Sequence, residues 1–213
     1  MKRLSFLGAL VILALVSACS PSTKITGSWK APAAKEGGYS NLFVTALTDK
    51  LVARQTIEND IDTILEEDGI TANSSFEIIP PGFKATPENK EEVINQIKAA
   101  GHDAILTIAL LDQTSETRYV PGSTMYSPMM YGGYYGSFYG YYSYYNPVMY
   151  DPGYYTTDKN YYIEMNLYDA QTEQLVWSAQ SETTNPSSLE SFSKTFAQSV
   201  EYQMVKDGLI SSK

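Results

Sequence analysis

One cysteine and one histidine in 213 residues close off most nucleophilic and metal chemistry. A lone thiol forms no internal disulfide, and one imidazole with one thiol falls short of a zinc ligand set. HExxH, GxxxxGK[ST] and GxSxG are absent, and with them the usual zincin, phosphate-loop and serine-hydrolase signatures. No apolar run reaches the ~20 residues needed to cross a bilayer as a helix. Positive charge is also scarce, with 15 Lys and Arg against 24 Asp and Glu. No basic cluster offsets this, so nucleic acid is excluded as a partner. No metal, cofactor or catalytic residue is expected, and the chain is read as a non-enzyme.

The informative part comes first in the chain. Lys2 and Arg3 precede an apolar run from Leu4 to Val16, broken only by Ser5 and Gly8, and Val16-Ser17-Ala18-Cys19 follows. A charged start, a short apolar core and small residues mark a secretory signal. Val-Ser-Ala-Cys resembles the lipobox of bacterial lipoproteins. The resemblance implies cleavage before Cys19 and acylation of its thiol by diacylglycerol and a further fatty acid such as palmitate. Two or more chains hold a protein firmly in a membrane, at roughly 0.8 kcal/mol per buried methylene. Ser20, rather than Asp, follows the cysteine. In the sorting pattern of such lipoproteins this favours the outer membrane, and the periplasmic face is expected. Loss of residues 1–18 leaves 13 basic against 24 acidic residues, a net charge of −11.

Residues 19–40 are rich in Ser, Pro, Gly, Ala and Lys, and read as a lipidated flexible tether. Trp29 is its odd member, read as a satellite contact with the domain. Residues 41–210 read as one α/β domain. Leu42–Leu47 is a short apolar strand, with Thr48 as cap of a helix carrying Leu51, Ile57, Ile61, Ile64 and Leu65 and stopped by Gly69. Ser75–Ile79 reads as a second strand. Thr86-Pro87 opens a second helix with Val93, Ile94 and Ile97 buried, closed by Gly101. Ala104–Leu111 is a third strand, continued with polar alternation to Tyr119. Tyr161–Asp169 and Leu175–Gln180 form a hairpin, with Leu175, Trp177 and Ala179 turned to one side. A last helix carries Leu189, Phe192, Phe196, Val200 and Met204. The expected fold is a mixed five-stranded sheet with three flanking helices in the order βαβαβ-ββα, its first three strands parallel.

Ser28-Trp29-Lys30-Ala31-Pro32, ETRYVPG (Glu116–Gly122), LYDAQTEQLVWSAQSET (Leu167–Thr183) and DGLI (Asp207–Ile210) are similar to segments of a group of bacterial outer-membrane lipoproteins that carry no known activity. At the level of architecture the chain also resembles the α/β domains of the curli secretion lipoprotein, the lipoprotein activators of peptidoglycan synthases and the N-terminal domain of the Tol translocation protein. One fold hosts many functions, and none of their functional residues maps onto this chain.

The remaining polar candidates are weak. His102, beside Asp103, lies at a helix–strand junction and reads as a loop or edge residue. Sequence neighbours on a strand face opposite ways, which disfavours a triad. Glu116 and Glu164 on two strands are the pair a glycosidase would need. Glu66, Glu67 and Asp68, with Asp60 and Asp62, read as a solvated helix face. Gly132, Gly133, Gly136 and Gly140 lack the following helix of a phosphate loop.

Residues 120–158 form a Tyr/Gly-rich insertion in the hairpin between the third and fourth strands. Fifteen of the 18 tyrosines lie between Tyr119 and Tyr162, and Asp151 is the only charge from Tyr119 to Thr157. Tyr131, Tyr134, Tyr135, Tyr139, Tyr141, Tyr142, Tyr144 and Tyr145 form its densest part. Tyr offers a flat apolar face and a hydroxyl at low entropy cost, which suits a binding surface. The readings are a low-complexity spacer, a contact for an envelope protein or a second copy of the chain, and a stacking platform for peptidoglycan sugars. The function expected is a lipid-anchored envelope interaction or scaffold module, with a carbohydrate-binding or cell-wall hydrolytic module as the alternative.

Overall fold

A computed structural model describes residues 23–83, 89–120 and 154–212. The signal peptide, Cys19, the Thr86-Pro87 cap, the phosphate-loop glycines and all eight singled-out tyrosines lie outside them.

The order of elements is β1 (Thr23–Lys30), β2 (Asn41–Ala46), α1 (Leu51–Glu67), β3 (Thr71–Ser74), a 3-10 turn (Ser75–Glu77), α2 (Lys90–Ala99), β4 (Ala104–Val120), β5 (Tyr154–Asp169), β6 (Leu175–Thr184) and α3 (Leu189–Lys206). The sheet has six strands in the order β1-β6-β5-β4-β2-β3. β2 runs parallel to both β3 and β4, and β6 runs antiparallel to β1 and β5. The α/β class and the two parallel crossovers agree with the sequence reading; the strand count does not. β1 lies where a tether was expected. It pairs with β6 from Thr23↔Thr183 to Lys30↔Trp177. An edge strand is held by main-chain bonds, which a Ser-, Gly- and Lys-bearing segment makes as well as an apolar one. Trp29 sits on β1 and stays half exposed.

Other local differences have equally local causes. The second parallel strand is the polar Thr71–Ser74; Ser75 begins the turn capped by Ser74 Oγ. Thr48 does not cap α1: Lys50 holds the cap position, and Thr48 Oγ1 accepts from Lys50 N at 3.2 Å, two residues too early. A register shift between Leu167 and Tyr168 turns Leu175 outward, while Trp177 and Ala179 stay buried. β5 begins at Tyr154, so the last part of the expected insertion is strand.

The chain divides into two compact units. In unit 1, residues 1–113 and 160–213, one core cluster joins Leu42, Val44, Leu106, Met165, Leu167 and Trp177 to Ile57, Ile61 and Leu65 of α1 and Phe196, Val200 and Met204 of α3. A smaller cluster on the opposite sheet face joins Phe43, Ile105 and Ala170 to Ile97 of α2. β2 shows the cause: its side chains alternate faces, and both are covered by helices, so nearly every residue is buried. Trp177 donates from Nε1 to Asp207 Oδ2 at 2.8 Å. Gly38 has a φ of +80°, and a Cβ there would stand 2.6 Å from the carbonyl oxygen of Leu209. Only glycine therefore allows Tyr39 N to donate to Leu209 O at 2.7 Å.

Unit 2 comprises Thr114–Lys159. Its described part is a ribbon of Thr114–Val120 and Tyr154–Lys159. Thr117 Oγ1 lies 3.2 Å from Thr157 Oγ1, and Arg118 Nε lies 3.0 Å from Asp158 Oδ2. The Tyr119 and Tyr155 rings are tilted against each other with centroids 5.3 Å apart. Among the described residues no helix is long and apolar enough to cross a membrane.

Candidate functional site

A parallel βαβ arrangement leaves a crevice beyond the C-terminal ends of its strands, where ligands of α/β proteins commonly bind. Here that crevice holds a cavity of about 380 Å³, lined by Thr45 to Thr48 at the end of β2, Arg54 of α1, Ile79 and Phe83 of the following loop, and Val93 and Ile94 of α2. The volume is at the small end of the range for ligand pockets.

Arg54 belongs to a buried polar network that builds the wall. Arg54 and Glu58 are one helical turn apart on the same stripe as Ile57, Ile61 and Leu65. Glu58 is fully buried. Its carboxylate accepts from Ala46 N at 2.8 Å, Ser74 Oγ at 2.6 Å, Ser75 N at 3.0 Å and Arg54 Nε at 3.1 Å. The Ser75 hydroxyl lies 2.7 Å from Glu58 Oε1 and also faces the Arg54 guanidinium, with Nε at 3.2 Å and Nη2 in contact. Nη2 donates to Ile79 O at 2.9 Å, and the guanidinium stands 4.4 Å from the Phe76 ring centroid. A buried ion pair is tolerable when its remaining donors and acceptors are satisfied, as most are here. The network ties the end of β2, the end of β3 and α1 together. Apart from Arg54, Thr45 and Thr48 the lining is apolar, with Phe83 its one aromatic side chain. It suits a mostly apolar guest.

The residues singled out from sequence fall elsewhere. His102 is in the α2–β4 connection, the loop position expected, and it is buried. Its Nδ1 lies 2.8 Å from Asn41 Oδ1, and its ring packs 5.6 Å from that of Phe43. Asp103 instead accepts from Ser40 N at 3.1 Å, Asn41 N at 3.0 Å and Lys35 Nζ at 2.9 Å. Glu164 belongs to unit 1, where its Oε2 accepts from Asn166 Nδ2 at 3.1 Å. Glu116 belongs to unit 2. No group of acidic, His or Cys side chains suited to a metal occurs among the described residues.

The acidic end of α1 is not wholly solvated. Glu201 of α3 shares a carboxyl hydrogen bond with Asp68. Burial first, then this bond and the Asp68 charge, push Glu201 up to about 6. Asp207 shows the opposite balance. Burial alone would raise it, but hydrogen bonds from Trp177, Gln203 and Ser28 outweigh that and hold it below the ordinary value.

No protein-family model matches the chain, and no curated protein matches it. Among solved structures it is similar to a PelC dodecamer of Paraburkholderia phytofirmans carrying one substitution, at 15% identity, TM-score 0.45, over 90% of this chain and 98% of that one. A second PelC dodecamer from the same organism gives 16% identity and TM-score 0.43, over 84% and 94%. The lipoprotein GNA1162 of Neisseria meningitidis gives 12% and 0.41, over 78% and 99%. At these values the similarity transfers neither function nor assembly.

Proposed function

We propose that the chain is a lipid-anchored, non-enzymatic protein of the outer membrane. Its α/β unit serves as a scaffold, and its tyrosine-bearing arm contacts a periplasmic partner. The observation that carries the reading is the ribbon of unit 2. Tyr119 and Tyr155 pair on it yet remain 52% and 74% exposed, and they flank the Tyr-rich residues 121–153. A two-stranded ribbon is marginal alone in water, and paired exposed aromatics are typical of surfaces that gain by burial in a partner. In-cell crosslinking of the wild type and of a chain lacking residues 121–153 tests it. A partner captured by the wild type and lost on deletion is expected; an unchanged crosslinking pattern contradicts the assignment of the arm.

The cavity favours a second reading, an apolar guest held between β2 and α2. Leu47, Ile79, Val93 and Ile94 make most of its lining apolar, which favours such a guest over a sugar. Retention on purified peptidoglycan would count against this preference.

A further inference from the structure

Two polar groups on the cavity wall are left with bonds to make. Arg54 is 9% exposed and lines the cavity. Its Nε is taken by Glu58 and Ser75, and its Nη2 by Ser75 and the carbonyl of Ile79. Nη1 is a donor only, and it bonds to none of the described residues. Thr45 is 7% exposed and also lines the cavity. Side chains alternate along β2, so Thr45 shares the α2 face with Phe43, which packs in the cluster holding Ile97. Its hydroxyl has no hydrogen-bond partner among the described residues.

The charges on the wall decide what head group those donors take. Arg54 and Glu58 already form a pair, with Nε 3.1 Å from Oε1. Glu58 is fully buried, so a guest carboxylate would add a second negative charge to a site with one cation. Burying such an unbalanced charge is costly. An ester brings acceptors and no charge. An amide would add an N–H for which the open wall groups offer only the Thr45 oxygen. Leu47, Ile79, Phe83, Val93 and Ile94 make most of the remaining wall, which fits an alkyl chain. At roughly 30 Å³ per heavy atom, the share of one water in the liquid, the cavity of about 380 Å³ admits about a dozen such atoms.

We propose that the cavity binds one short acyl ester, with Arg54 Nη1 and the Thr45 hydroxyl donating to its carbonyl and its alkyl chain lying against Phe83, Val93 and Ile94. The proposal rests on the apolar-guest reading of the cavity and names the class of guest. Every lining residue belongs to unit 1. The site is therefore built by that unit alone and is independent of the partner contact assigned to the tyrosine-bearing arm. A donor left unmade in a buried wall costs free energy, and the ester carbonyl recovers it. A plain alkane fills the same space without that gain.

The test uses the whole chain from residue 19 with Cys19→Ser, which keeps the protein out of micelles whose alkyl chains would compete. Methyl octanoate, octanoate and octane are titrated, and binding is read from the methyl NMR signals of Val93 and Ile94. Methyl octanoate is expected to shift both signals and to bind about fivefold tighter than octane or octanoate. Thr45→Val removes the hydroxyl at nearly the same shape. It is expected to weaken the ester about fivefold, leave octane unchanged and keep the melting temperature. Octane binding as tightly as the ester, octanoate binding more tightly, or an ester affinity untouched by Thr45→Val overturns this proposal and leaves the apolar-guest reading standing. If none of the three compounds moves the Val93 and Ile94 signals, both fall together.

Discussion

Removing Glu58 should be among the most damaging single changes in unit 1. Glu58→Ala deletes the acceptor for Ala46 N, Ser74 Oγ, Ser75 N and Arg54 Nε at one stroke. It also leaves the Arg54 guanidinium, whose side chain is 11% exposed, without its counter-charge. Breaking one partner of a buried pair costs about 3–5 kcal/mol. That is a large share of the roughly 5–15 kcal/mol that holds a domain folded. Arg54→Met should cost a similar amount, because Glu58 then keeps an unpaired charge. The double variant Arg54→Met, Glu58→Leu should recover most of the loss, since apolar replacement of a buried pair is often neutral. Urea unfolding of the wild type, Arg54→Met, Glu58→Leu and the double variant closes the cycle and gives the coupling energy. Single variants each costing under about 1 kcal/mol, the scale of an exposed pair, or costs that merely add, would refute the view that this pair is a buried, mutually dependent unit.

Other consequences follow from the same geometry. The Glu201 carboxyl titrates at about 6 beside Asp68 in the folded protein, above its unfolded value. The folded state therefore binds more protons between those two pKa values, and stability falls as pH rises through 6. Glu201→Gln should raise the melting temperature at pH 7 and leave it unchanged near pH 4; no difference between the two pH values would contradict the pairing. Ser181 is buried and its Oγ has no hydrogen-bond partner among the described residues, so Ser181→Ala should be neutral or stabilise by up to about 1 kcal/mol in denaturant unfolding. Deleting residues 121–153 shortens a connection between neighbouring strands and should leave the melting temperature of unit 1 within a few degrees.

Much of the fold was legible in the sequence because helices covered on one face advertise a period. Ile57, Ile61 and Leu65 in α1 and Phe192, Phe196, Val200 and Met204 in α3 are buried where the spacing puts them. Edge strands advertise little. β1 and β3 carry mixed or polar residues and owe their identity to main-chain pairing. Phe76, Ile78 and Ile79 looked like a strand yet form a turn and loop that pack on Arg54 and α2. The buried network was missed although a signal existed. Arg54 and Glu58 occupy positions of the apolar stripe of α1, and charges there must be satisfied from within. His102 was placed correctly along the chain, but its burial depends on Asn41 and Phe43, which are far away in sequence. The Tyr-rich stretch remains a reading of composition.

Lipidation of Cys19 is the premise on which anchoring and location both depend. The most direct measurement is mass spectrometry of the mature N-terminus of the protein made in a bacterial host. The account predicts a chain beginning at Cys19 and carrying a diacylglyceryl group. A chain retaining residues 1–18, or one cut elsewhere with Cys19 as a free thiol, would contradict it.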